Sequence, residues 1–148
     1  MTYIVSACLL GEACRYDGAS KGCEEIIALG KNHSLVPFCP EAPTLGTPRK
    51  RISVIEENGK LRLKRDSDGV DITGLIEAFT YRFLEANPYA DGVILKSKSP
   101  SCGLGTAPIY NAQKELLRYG NGIATECFIK HGMTVVDEHQ FKMESMEC

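Results

Sequence analysis

Apolar and polar positions along the 148 residues alternate between short strand-like runs and stretches of helical periodicity. The run Tyr3-Ile-Val-Ser-Ala-Cys-Leu-Leu10, β-branched and aromatic at its start and closed by Gly11, predicts a buried strand leading into a turn, with Cys8 at or just past its end. Residues 19–29 predict a helix that contains Cys23 and stops at Gly30. Ser34–Phe38 predicts a second strand, ended at once by Cys39-Pro-Glu-Ala-Pro43 because two prolines cannot continue a ladder. Residues 52–56 and 61–64 alternate on either side of Asn58-Gly59 and predict an accessory hairpin. Over Thr73–Ala86, Leu75, Ile76, Phe79, Phe83 and Leu84 recur at helical spacing before Asn87-Pro88 stops the pattern. Gly92–Leu95 reads as a strand, 122–131 as a helix ended by Gly132, 133–136 as a last strand, and 137–148 as a polar tail that is a short helix or frayed.

Strands alternating with helices predict an α/β fold, because parallel neighbours need a crossover that is usually a helix. The expected architecture is a three-layer sandwich with a central, mostly parallel sheet and a small β-hairpin insertion, in one domain over residues 1–148. In such sheets ligands gather at the carboxyl ends of the strands.

Composition narrows the function classes. Hydrophobic residues at 43% and charged residues at 24% match an ordinary globular chain and argue against disorder and membrane classes. A formal net charge of -2 offers no basic field for a phosphate backbone, and Arg49-Lys50-Arg51 is too short to change that, so no nucleic-acid partner is expected. No apolar stretch reaches the roughly 18 residues of a membrane span, and no basic region precedes the first apolar segment, so the expected location is cytoplasmic. Nothing in the pattern bears on oligomeric state. Seven cysteines, at positions 8, 14, 23, 39, 102, 127 and 148, are an odd number in such a chain and favour metal or redox chemistry over a disulfide framework.

Three of these cysteines share a context. Cys8, Cys39 and Cys102 each follow a short apolar strand, so parallel packing of those strands brings them to one sheet edge. Cys102 lies in Lys96-Ser-Lys-Ser-Pro-Ser-Cys-Gly-Leu-Gly105, where small, hydroxyl and glycine residues let backbone and side chains approach a ligand closely. Converging thiolates need a cation or a cluster, and soft thiolate donors select transition metals and iron-sulfur clusters. Cys14, six positions after Cys8, competes as a ligand, whereas Cys23, Cys127 and Cys148 fit buried or tail thiols. Glu41 is a candidate general acid or base beside Cys39. Ser99 and Ser101, flanking Pro100, are candidate hydrogen-bonding groups, and Arg15 and Asp17 offer a planar donor fork and an acceptor, although a local ion pair is their commoner use.

Together, Val5-Ser-Ala-Cys-Leu-Leu-Gly11, Cys14-Arg-Tyr-Asp-Gly18, Cys39-Pro-Glu41 and Lys96-Ser-Lys-Ser-Pro-Ser-Cys-Gly103 resemble the thiouracil desulfurase family of small bacterial proteins, in order along most of the chain. The resemblance implies a [4Fe-4S] cluster held by Cys8, Cys39 and Cys102, and a small-molecule thiolated base as substrate. It implies a non-redox reaction in which 2-thiouracil and water give uracil and sulfide. It places catalytic roles on Glu41 and on Ser99 or Ser101, and substrate contacts on Arg15, Asp17 and Ser101. The alternative from another class is a non-catalytic metal-binding or redox-sensing module using the same cysteines. A thiol oxidoreductase built on Cys8 and Cys14 lacks a CxxC pair and an activating base.

Overall fold

A computed structural model describes residues 1–12, 22–46 and 49–141. In chain order its elements are β1 (Thr2–Ser6), α1 (Glu24–Leu29), β2 (Ser34–Phe38), α2 (Ala42–Leu45), β3 (Ile52–Glu57), β4 (Lys60–Arg65), α3 (Thr73–Ala86), β5 (Gly92–Leu95), β6 (Ala107–Tyr110), β7 (Leu116–Gly120), α4 (Ile123–Lys130) and β8 (Val135–Asp137). The fold is α/β. Strands β2-β1-β5-β8, in that order, form a sheet in which every pairing is parallel.

The period of two in these strands sorts their side chains between two cores. Ile4, Val93 and Leu95 point to one side and join Ile76 and Leu84 of α3 with Ile123 and Phe128 of α4. Val5 and Ile94 point to the other side, against Ile26 of α1. Helix, sheet and helix pair are therefore the three layers. Phe38, at the end of β2, meets Phe83 and Phe128 edge-on at 4.9 and 5.1 Å between ring centroids, the geometry aromatic quadrupoles favour. Pro37 is accommodated because β2 is an edge strand with no second neighbour to receive its missing N–H.

The hairpin is half of something larger. β3 and β4 pair antiparallel through Asn58 and Gly59, both at positive φ (51° and 75°), as a two-residue hairpin turn requires. They continue into β6 and β7 to make a second four-stranded sheet of order β4-β3-β6-β7, which the sequence reading did not foresee. Its residues Val54, Leu63 and Ile109 extend the core under α3 and α4.

Three element boundaries move. The first strand ends at Ser6, and Ala7–Leu10 instead forms a 3-10 turn closed by Gly11 at φ 93°. The next helix starts at Glu24 with Cys23 as its N-cap, so Cys23 precedes the helix; residues 19–21 lie outside the described residues. The last strand begins at Val135, and the tail after it starts with a helical turn, residues 142–148 lying outside the described residues. Asp137 Oδ1 accepts the Gln140 N–H while Gln140 Oε1 accepts the Asp137 N–H, a reciprocal cap that starts a helical turn over 138–141.

Candidate active site

Because β1, β2 and β5 are parallel neighbours, their carboxyl ends lie on one edge, and the chain leaves each strand through a cysteine-bearing turn. Cys8 sits in the 3-10 turn after β1, Cys39 directly follows β2, and Cys102 lies in the turn after β5. All three line a single cavity of about 440 Å³, together with Glu41, Lys96 and Ser99. The opposite wall comes from Arg49 and Arg51 before β3, from Ser53 on β3, and from Pro108 and Tyr110 on β6. The second sheet thus closes a cavity that the first sheet opens.

The Cys102 turn is pinned on every side. Ser6 Oγ accepts the Lys96 N–H at 2.9 Å, tying the end of β1 to that of β5. Glu138, at the start of the tail turn, accepts the Ser97 N–H at 2.7 Å and the Lys96 ammonium at 3.0 Å. Further on, the carbonyls of Pro100, Ser101 and Gly103 accept the N–H groups of Ile123, Ala124, Thr125 and Gly122, so the turn satisfies the otherwise orphaned first amides of α4. This contact tolerates no side chain at its centre: a Cβ on Gly122 would stand 2.4 Å from the Ser101 carbonyl carbon. Gly103 is held as closely, its Cβ position 2.8 Å from the Ala107 nitrogen.

The two candidate serines separate. Ser99 lines the cavity, and its Oγ accepts the N–H groups of Ser101 and Cys102 at 3.2 and 3.1 Å, which leaves its own O–H to donate. Ser101 is fully buried behind the cavity, and its Oγ, like Thr125 Oγ1, has no hydrogen-bond partner among the described residues. Arg15, Asp17 and Cys14 lie outside the described residues, and with them any Cys8–Cys14 pairing. Cys23 is buried beside Val5 and Ile26, and Cys127 is buried on α4, neither of them lining the cavity.

Glu41 is the first residue after Cys39-Pro40 and the N-cap of the four-residue α2, whose Ala42 N–H points at Cys39 Sγ, 3.4 Å away. Its carboxylate is only 11% exposed and pairs with the Arg49 guanidinium, itself 5% exposed. No sequence signal separates Arg49 from its neighbours in the basic patch Arg49-Lys50-Arg51, so it was missed as a site residue. Glu138, in the tail, was missed in the same way, although the Asp137-Glu-His-Gln140 capping pattern marks an ordered turn there.

Electrostatics define what the cysteines can hold. Burial pushes the Cys102 thiol far above its ordinary range, and the nearby charges of Glu41 and Cys39 push it further, against donation from the Ser6 and Ser99 hydroxyls. A thiolate here needs a cation to sustain it. Among the described residues no three His, Cys, Asp or Glu side chains close on a single ion. In a cluster each thiolate binds its own iron, so the donors stand around a cavity instead of meeting at a point. Three cysteines on one cavity wall, two hydroxyls donating toward one of the sulfurs and room in front of them fit an iron-sulfur cluster. No helix among the described residues is long and apolar enough to cross a membrane.

Comparison with known proteins finds similar chains. The family model for 2-thiouracil desulfurase matches residues 3–140. The uncharacterized protein YbbK of Bacillus subtilis (strain 168) is 33% identical over 150 aligned residues, covering 93% of this chain and 95% of that one. A solved structure described as a [4Fe-4S]-dependent thiouracil desulfidase, TudS, superposes with a TM-score of 0.76 at 32% identity, over 99% of this chain and 96% of that one.

Proposed function

Since the chain belongs to the 2-thiouracil desulfurase family, we propose that it is an enzyme that removes sulfur from a thiolated pyrimidine base, converting 2-thiouracil and water to uracil and sulfide, with a [4Fe-4S] cluster on Cys8, Cys39 and Cys102. What supports this most is that three thiols from three strand ends and the carboxylate of Glu41 line one cavity. The cluster, when bound through three protein ligands, supplies a Lewis-acidic iron with an open position for the sulfur of the base.

The chain's own residues do the rest. Glu41 holds a water against the thiocarbonyl carbon and takes its proton as the C–O bond forms. The C–S bond then breaks with no change in oxidation state, the sulfur leaving as hydrosulfide and the oxygen remaining as the new carbonyl. Ser99, whose oxygen already accepts two backbone N–H groups, directs its one hydroxyl proton at the Cys102 sulfur and so supports that ligand at the cavity wall. Ser101, buried away from the cavity, serves the turn that caps α4. The second sheet covers the site and limits access of bulk water, which strengthens each of these interactions.

The test is anaerobic reconstitution with iron and sulfide followed by incubation with 2-thiouracil. Uracil and sulfide are expected in equal amounts; iron-loaded protein that yields neither from 2-thiouracil, 4-thiouracil or their nucleosides sinks the reading.

A further inference from the structure

The contact between Arg49 and Glu41 has a geometry that a simple brace would not need. Arginine and carboxylate usually meet side-on, two N–H groups on two oxygens. Here Nε and Nη2 of Arg49 both reach Oε1 of Glu41, at 3.4 and 3.2 Å. The third arm of the fork, Nη1, donates to the Gly46 carbonyl at 3.0 Å, just beyond α2. Gly46 holds φ 86°, a conformation that only glycine adopts without strain, and this places its carbonyl at the guanidinium. One planar cation therefore holds both the carboxylate and the Gly46 carbonyl, at 5% side-chain exposure.

We propose that Arg49 is a positioning residue for Glu41: it anchors Oε1 and thereby presents Oε2 to the water that attacks the base. This rests on the desulfuration reading above. The guanidinium also compensates a carboxylate that shares its wall with Cys39 and Cys102, where an unpaired buried anion would be repelled by the thiolates. A lysine could compensate the charge but could not direct two donors to one oxygen while holding a carbonyl with a third.

Kinetics of Arg49→Ala and Arg49→Lys in the anaerobically reconstituted full chain test this, with the Tm of the cluster-free protein as a measurement that needs no turnover. In Arg49→Ala the expected result is wild-type iron content and visible spectrum, KM within about threefold, and kcat lower by about 10²-fold, the scale of a misplaced catalytic group. Added methylguanidinium restores at least about tenfold of that loss in Arg49→Ala and nothing in Glu41→Gln. Arg49→Lys retains the cluster but stays well below wild-type kcat. Without iron, Arg49→Gln lowers Tm by about 10 °C when Glu41 is present and by less than half as much in the Glu41→Gln chain, because only the first leaves a buried charge alone. A loss confined to KM, a kcat within threefold of wild type, iron loss in both Ala and Lys variants, or additive Tm changes would each overturn the proposal. Absence of turnover in the wild type, with the Tm coupling intact, would instead overturn the desulfuration reading and leave the pair standing as a structural one.

Discussion

Cys102 and Cys127 stand at opposite ends of the same piece of structure, one in the turn that caps α4 and the other within that helix. Both are buried, at 5% and 2% exposure, and burial raises both thiols above their ordinary range. Their surroundings differ. Cys127 faces Tyr81 of α3 in a helix–helix contact, with Glu77, Lys130 and Glu126 as its charged neighbours. Cys102 faces a cavity beside Cys39 and Glu41, with the hydroxyls of Ser6 and Ser99 directed at its sulfur. Burial alone therefore does not mark a ligand. What distinguishes the two is the meeting of several thiols with hydrogen-bond donors at a space large enough for a cluster.

The strongest way to break this comparison is to remove each sulfur. Cys102→Ala should abolish both bound iron and sulfide release after anaerobic reconstitution. Glu41→Gln should come next: iron content and spectrum stay at wild-type level while kcat falls by about 10²- to 10⁴-fold, the range for a lost general base.

A smaller effect tests the strap around the Cys102 turn. Burial would raise the Glu138 carboxyl, but the Ser97 N–H and the Lys96 ammonium outweigh it and hold the group below its ordinary value of 4.5. A depressed folded value means that Glu138 contributes its full stability above about pH 4.5 and loses it as pH falls through the lower folded value. Glu138→Gln should cost about 2 kcal/mol at pH 7, as loss of a hydrogen-bonded charge does, and should flatten the acid limb of a urea-denaturation series from pH 6 to 3. Smallest of all, Cys127→Ala should cost about 1 kcal/mol of stability by the same denaturation and leave iron content and kcat unchanged. If Cys127→Ala lost iron, the contrast between the two thiols would collapse.

Much of this molecule could be read from its sequence where one period was clean. The apolar stripe of Thr73–Ala86 and the continuous run Gly92–Leu95 correspond to α3 and β5 to the residue. The second sheet escaped for physical reasons. β7, Leu116–Gly120, is exposed along nearly its whole length and so shows no alternation. β6 carries Pro108, which in sequence argues against a strand with neighbours on both sides, the position β6 in fact holds. The 3-10 turn at Ala7–Leu10 is apolar and buried at Ala7 and Leu9, so its pattern cannot be told from a continuing strand. At the site, chain order exposed the strand-end cysteines and Glu41, because each follows an apolar run. Arg49 and Glu138 were hidden because a charge run and a polar tail look solvated until tertiary contacts bury them.

The central claim, that Cys8, Cys39 and Cys102 jointly hold a cluster in front of Glu41, is tested most directly by iron per chain. Anaerobically reconstituted wild type should carry about four irons per chain, and single Ala variants at each of the three cysteines should carry almost none. Wild-type protein that takes up one zinc and no iron under the same conditions would contradict it.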